Sequence, residues 1–74
     1  MKEIELTKRE LQVYDYIVKF KTINGFSPTI SEMAKAFYCN RNNIRNIVYR
    51  LVDKGYITYD ADRMRSIVIT KMIS

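Results

Sequence analysis

The chain has 74 residues, with 13 lysines and arginines against 8 acidic residues and a net charge of +5. This length supports one domain with one core, and a hydrophobic fraction of 47% is too high for a disordered segment. Because there is no histidine and Cys39 is the single cysteine, the sequence excludes imidazole catalysis, an internal disulfide and a zinc cluster. We therefore expect no enzyme, no cofactor and no metal, and the basic excess favours a polyanionic partner.

The sequence carries no signal for a membrane. No apolar run approaches the roughly 18 residues that a membrane-spanning helix needs. The first five residues also lack the apolar region of a secretion signal. A soluble, cytoplasmic protein is the expectation.

The first predicted element is a helix over residues 8–24. Thr7 and Glu10 have the spacing of a capping box, in which the threonine accepts from a helix amide and the glutamate accepts from the cap amide. Gly25 can then adopt the left-handed conformation that ends helices. Between these ends the apolar residues that recur at helical spacing are Val13, Ile17 and Phe20.

Two shorter helices follow. Thr29 and Glu32 repeat the capping box and predict a helix over residues 30–38. Asn40 is a suitable cap for a third helix over residues 41–54. The apolar positions of this third helix form the cleanest period in the chain, and they are Ile44, Ile47, Val48 and Leu51.

After the third helix the hydrophobic period changes from 3.6 towards 2. Residues 56–59 and 66–70 are rich in β-branched and aromatic side chains, and residues 60–63 form a plausible turn. A β-hairpin over residues 56–70 is therefore predicted. The resulting fold class is mostly α with a small β-hairpin, a three-helix winged helix-turn-helix that occupies residues 1–74 as one domain.

The third helix is the candidate recognition helix. Four basic residues against one acidic residue give it a charge of +3, the largest share of the total. Arginine can bind guanine in a bidentate manner and asparagine can bind adenine, so its outward face suits the major groove of double-stranded DNA. Contacts are predicted, mostly with base edges, for Asn40, Arg41, Asn42, Arg45 and Asn46. Phosphate contacts are predicted for Tyr49 and Arg50, although Tyr49 could equally serve packing and Asn40 is also the helix cap.

Two further surfaces are candidates for contact with the DNA backbone. Hydroxyl groups near the start of the second helix could bind phosphate or serve structure alone, and they belong to Ser27, Thr29 and Ser31. On the hairpin, Arg63 and Arg65 could approach phosphates or the minor groove. Asp60 and Asp62 beside them would repel phosphate unless they face away or cap the turn.

A second function remains open at this stage, a protein-interaction module of the same fold that docks on a repressor or an RNA polymerase. Its basis is a second apolar seam on the first helix, formed by Leu11, Tyr14 and Val18, which could bind a protein partner or a second copy. In the alternative, the hairpin together with Met72 and Ile73 covers this seam.

A longer pattern of residues resembles a known family. It comprises Leu6-Thr7, Arg9, Val13, Asp15 and Ile17, then Gly25, Pro28-Thr29, Glu32 and Ala34, then Leu51, Lys54-Gly55, Ile57, Arg65 and Ile67. In combination these residues are similar to the N-terminal DNA-binding domain of LexA repressors. The resemblance implies a repressor that reads operator DNA with its third helix. By position, the residues that fall where the family makes base contacts are Asn40, Asn42, Asn43, Arg45 and Asn46.

The sequence also departs from that family. Arg41, Arg45 and Asn46 replace acidic or small residues, and the turn near Tyr38 is one residue shorter and lacks the usual glycine. An altered operator sequence is therefore expected. The chain ends at Ser74, where LexA repressors continue into a peptidase and dimerisation domain, so the resemblance implies a stand-alone DNA-binding domain without self-cleavage. A homodimer on DNA remains an open alternative.

Overall fold

Three helices followed by two short strands make up the computed structural model, which describes residues 6–71. The elements are α1 (Lys8–Asn24), α2 (Ile30–Ala36), α3 (Arg41–Asp53), β1 (Ile57–Thr58) and β2 (Val68–Ile69). The strands pair antiparallel. This arrangement confirms the predicted fold class, a mostly helical winged helix-turn-helix. No helix in the described part of the chain is long and apolar enough to cross a membrane.

The predicted cap of α1 is confirmed at atomic level. The amide of Glu10 donates to Thr7 Oγ1 at 3.2 Å, and the amide of Thr7 donates to Glu10 Oε1 at 3.0 Å. At the other end Gly25 has a φ of 82°, and its amide donates to the Lys21 carbonyl. Thr29 and Glu32 build the same box at the start of α2. Local residue types therefore decide where both helices begin.

The end of α2 differs from the prediction by two residues. The helix ends at Ala36 because Tyr38 adopts a left-handed φ of 56°. The amides of Tyr38 and Cys39 then donate to the carbonyls of Lys35 and Ala34 at 3.3 and 3.0 Å. A tyrosine here takes a conformation that glycine adopts at lower cost. The sharp turn directs the chain into α3.

The core lies between α1, α2 and the inner face of α3, and the hairpin covers one side. The side chains with the lowest exposure come from the three helices, β1 and the residue before β2, and they are Val13, Ile17, Met33, Ile44, Val48, Leu51, Ile57 and Ile67. Each such burial contributes about 1.5–3 kcal/mol relative to exposure. Phe20, predicted to point inward, is only half-buried, because its ring packs near the surface against Tyr16 and Phe26.

The hairpin is confirmed, but its ladder is shorter than predicted. Only Ile57 opposite Ile69 and Thr58 opposite Val68 are paired. Between the strands, the amide of Arg63 donates to the Asp60 carbonyl at 3.1 Å and closes a turn. Most of the predicted second strand is therefore loop that leads back to β2.

The apolar seam predicted on the first helix is mostly closed, which favours the alternative in which the hairpin covers it. Tyr14 is 4% exposed, its ring meets Tyr56 edge-on at 5.7 Å, and its hydroxyl donates to the Lys71 carbonyl at 2.7 Å. Val18 is half-buried against the core, and Leu11 alone stays 45% exposed. The returning hairpin covers Tyr14, while Met72 and Ile73 lie outside the described residues.

Candidate nucleic-acid interface

The predicted inner and outer faces of α3 are confirmed. Its four apolar positions are buried in the core. On the opposite side the exposed residues are Arg41, Asn42, Asn43, Asn46, Tyr49 and Arg50, and Arg45 is half-buried. The helix therefore presents a polar face with five basic or amide side chains within its first six residues.

Asn40 caps α3, as predicted. Its Oδ1 accepts a hydrogen bond from the amide of Asn43 at 2.9 Å, and its backbone is extended. The side chain is nevertheless exposed at the tip of the helix. The structural role is thus confirmed, and a base contact by the amide group remains a prediction.

Two residues of the outer face are linked to each other. Arg45 Nη1 donates to Asn42 Oδ1 at 2.9 Å, one helical turn away. This contact reduces the conformational freedom of both side chains, so less entropy is lost when they bind a ligand. The remaining guanidinium donors of Arg45 and the amide nitrogen of Asn42 can still bind a base edge.

An open groove of about 310 Å³ separates α3 from the hairpin loop and the start of α2. Arg41 and Arg45 line one side, Arg63 lies on the hairpin side, and Thr29 and Ser31 lie at the start of α2. Ser31 is exposed, whereas the Thr29 hydroxyl accepts the Glu32 amide at 3.1 Å as part of the cap. The groove brings together three of the surfaces predicted from separate parts of the chain.

A model of the LexA DNA-binding domain matches residues 3–66. The chain belongs to the LexA DNA-binding domain family. It is 36% identical over 66 residues to the LexA repressor of Staphylococcus epidermidis and 39% identical over 67 residues to that of Thermosipho africanus. These matches cover 88% and 90% of this chain but 32% and 34% of the relatives. The chain therefore spans about a third of the length of the LexA repressors it matches.

Burial of Ser27 corrects one prediction made for this LexA-type domain. The residue is 2% exposed, and its Oγ is inaccessible and has no hydrogen-bond partner among the described residues. The next residue, Pro28, is also buried. A phosphate cannot reach this hydroxyl, so the predicted phosphate contact is wrong for Ser27.

Arg65 has a structural role that the sequence did not reveal. Its guanidinium donates to both Glu32 carboxylate oxygens, at 3.0 and 2.8 Å, and to the Ser27 carbonyl at 3.0 Å. It also lies 4.5 Å from the centre of the Phe26 ring. The hydrogen bond with Glu32 raises the pKa of Arg65, and the same bond lowers the pKa of Glu32. Arg65 thus anchors the hairpin of this LexA-type domain to the start of α2, and its contact with DNA remains only a prediction.

A second ion pair joins α1 to the end of α3. Lys54 Nζ donates to Glu10 Oε1 at 2.6 Å, and the Glu10 side chain is 2% exposed. Burial raises the pKa of Glu10, but the hydrogen bonds from Lys54 and the Thr7 amide and the charges of Lys54 and Arg50 outweigh this effect. The pKa of Glu10 therefore lies below its ordinary value. No local sequence pattern indicates this pair, because its partners are 44 residues apart.

Proposed function

We propose that this chain is a sequence-specific, double-stranded DNA-binding repressor domain that reads the major groove with α3, with residues 1–74 acting as one domain. The observation that supports this most directly is the exposed arginine and asparagine face on a helix whose other face is buried. A helix of this width fits the major groove. The similarity to LexA repressors supports the same function and favours a cytoplasmic location.

Base reading is assigned to the first two turns of α3. Asn42 and Arg45 form the linked pair at the centre of the exposed face. Arginine suits guanine and asparagine suits adenine, so the operator is expected to contain both bases close together. The other residues proposed to contact bases from the same face are Asn40, Asn43 and Asn46.

Phosphate contacts are assigned to the border of this face. Arg41 and Arg63 lie in the groove on the hairpin side together with Thr29 and Ser31. Further along α3, Arg50 is exposed. Such contacts position the helix without selecting a base. Tyr49 is 43% exposed and its ring lies 6.0 Å from Tyr59, so it packs on the hairpin and can also meet the DNA backbone.

A single α3 reads one half-site. Two copies on DNA would read two half-sites about 34–36 Å apart, one turn of the duplex. We propose that the chain binds as such a homodimer when the operator is a palindrome. The alternative of a protein-docking module through α1 loses its main support, because Tyr14 of the apolar seam is buried.

Selection of bound DNA from a random duplex pool at two salt concentrations tests this function. Enrichment of a motif is expected, and the spacing of its half-sites reports the number of copies bound. Binding without enrichment, lost as salt rises, would contradict base reading and indicate contact with phosphates alone.

The selected duplex then allows a test of individual residues. Arg45→Ala and Asn42→Ala should each weaken binding by about 1–3 kcal/mol and relax the preference at one base pair, as measured by fluorescence anisotropy against single-base operator variants. Lys35→Ala, an exposed change at the end of α2, is the matched control and should bind as the unmodified chain does. Equal affinity of the Arg45 variant for the operator would contradict the assignment.

A further inference from the structure

A second groove, on the side of α3 that faces α1, contains an arginine to which the function above assigns no role. It has a volume of about 260 Å³ and is lined by Arg9, Arg50, Asn43 and Asn46, among others. Both arginines are exposed. Arg9 belongs to α1, so the basic character of this groove is produced by two elements that meet only in the folded chain.

The groove keeps its positive charge because its carboxylate is neutralised internally. Glu10 lines it but is buried and bound to Lys54 at 2.6 Å. The two charges of that pair cancel, which leaves the charges of Arg9 and Arg50 facing solvent. An anion that enters the groove therefore meets two guanidinium groups and no exposed carboxylate from the residues that line it.

Arg9 stands where helix stability does not require it. It is the second residue of α1, and a positive charge in the first turn opposes the helix dipole. Its guanidinium lies 4.9 Å from the centre of the Phe37 ring and donates to Gln12 at 3.2 Å, yet the side chain is still exposed. These contacts hold the charge beside the groove. A charged residue that opposes the helix dipole, yet is exposed and held in place, is typical of a functional site.

The two grooves lie on opposite sides of the same recognition helix. The groove on the hairpin side contains Arg41, Arg45 and Arg63, and the groove on the α1 side contains Arg9 and Arg50. A major groove is about 12 Å wide and a helix with its side chains about 10–12 Å, so an inserted helix has a phosphate backbone close to each side. Each basic groove therefore faces one of the two DNA strands.

We propose that Arg9, together with Arg50, binds phosphates of one DNA strand, while the start of α2 and the hairpin bind phosphates of the other strand. This assignment rests on the proposed function and adds a contact from α1 to it. The α1 contact is independent of sequence, because it reaches the backbone and no base edge.

The test is the salt dependence of binding by Arg9→Gln, measured by fluorescence anisotropy on the duplex selected above. Loss of one phosphate contact should lower the slope of log K against log salt by about 0.9 and weaken binding about fivefold near 0.1 M salt. The preference among operator variants should stay unchanged. Phosphate ethylation interference should report both strands for the unmodified chain, and for the Arg9 variant the signals of one strand should fade.

Lys19→Gln is the matched control, since it removes the same charge from the same helix. Lys19 pairs with Asp15 at 3.3 Å and does not line the groove, so its slope should equal that of the unmodified chain. Arg9→Lys should keep most of the slope because the charge remains. Thermal unfolding of each variant shows whether the fold is retained, since a purely structural Arg9 would lower the melting temperature and leave the slope unchanged.

The outcomes separate the two proposals. If the unmodified chain selects no duplex, the proposed function fails. If it selects a motif and Arg9→Gln keeps the same affinity, slope and interference pattern, the α1 contact is overturned and the proposed function stands.

Discussion

The two sides of α3 are held by the same kind of interaction in different surroundings. On each side the glutamate of a capping box pairs with a cation far along the chain, Glu10 with Lys54 and Glu32 with Arg65. The Glu10 side chain is 2% exposed, whereas Glu32 is 39% exposed and Arg65 36%. The Lys54 side chain is 24% exposed, so water reaches both pairs, but water and salt screen the second pair more strongly because both of its side chains are more than a third exposed.

The two pairs therefore hold different parts of the domain, and they differ in how strongly solvent screens them. The buried pair fixes the start of α1 to the end of α3, so the position of the recognition helix depends on it. The exposed pair holds the hairpin through a bidentate contact that salt weakens. Breaking the Glu10–Lys54 pair should lower the stability of the whole fold. Breaking the Glu32–Arg65 pair should chiefly loosen the hairpin.

Lys54→Met is expected to have the largest effect on stability. It leaves the Glu10 carboxylate buried without its partner cation, and the free energy of unfolding should fall by about 2 kcal/mol. Urea denaturation followed by circular dichroism measures this. The double variant Glu10→Gln with Lys54→Met is the control and should recover part of the loss, because no buried charge remains. An unchanged midpoint for Lys54→Met would show that the pair contributes nothing.

Acid should weaken the buried pair in a predictable direction. The pKa of Glu10 is lower in the folded chain than its ordinary value of 4.5, so its contribution to stability is present above pH 4.5 and is lost as the pH falls through the folded value. Unfolding measured by urea between pH 7 and pH 3 should show this loss. Glu10→Gln should lose less stability over the same range, and an identical pH profile for the variant would contradict the role of Glu10.

Arg65→Gln should have the smallest effect on stability and a clearer effect on the hairpin. Removal of the contact with the exposed Glu32 should lower the melting temperature less than Lys54→Met does, and the difference from the unmodified chain should shrink in high salt. Hydrogen exchange of the Arg63 and Thr70 amides, which donate to the carbonyls of Asp60 and Tyr56, measures the loosening of the hairpin. If these amides exchange as slowly in Arg65→Gln as in the unmodified chain, Arg65 does not anchor the hairpin to α2. Arg63→Gln, an exposed change in the same loop, is the control.

The sequence predicts a structural feature correctly where that feature depends on residues close by in the chain. The two capping boxes, the Asn40 cap and the faces of α3 all rest on contacts within one helical turn, and the structure confirms each of them. The end of α2 was placed two residues too far because a tyrosine in a left-handed conformation is rare and leaves no signal in composition. The sequence shows that the turn near Tyr38 is short and lacks the glycine usual in the family. It does not predict the left-handed φ of Tyr38.

The residues of the candidate site that lie on one helix were predicted from the sequence. Those whose position depends on contact between two elements were not. The outward residues of α3, such as Asn42 and Arg45, follow from the period of its apolar residues. By contrast, the burial of Ser27 and the anchoring of Arg65 depend on how the hairpin returns to α2, a contact between residues 38 apart. Arg9 belongs to the pattern that resembles the LexA family, but its place beside Arg50 was not predicted, because the two residues meet only when α1 packs on α3.

By itself the sequence determined the helices, the hairpin, the basic, amide-rich face of α3 and the separate pattern that resembles the LexA family. Local hydrogen bonding and hydrophobic period depend on residues a few positions apart. Only the tertiary structure decided which charges remain exposed. Glu10 and Lys54 neutralise each other across 44 residues, Arg65 is held by Glu32 across 33, and Tyr14 is covered by the returning chain across 57. Burial and ion pairing over such separations depend on packing between elements, which no local pattern encodes.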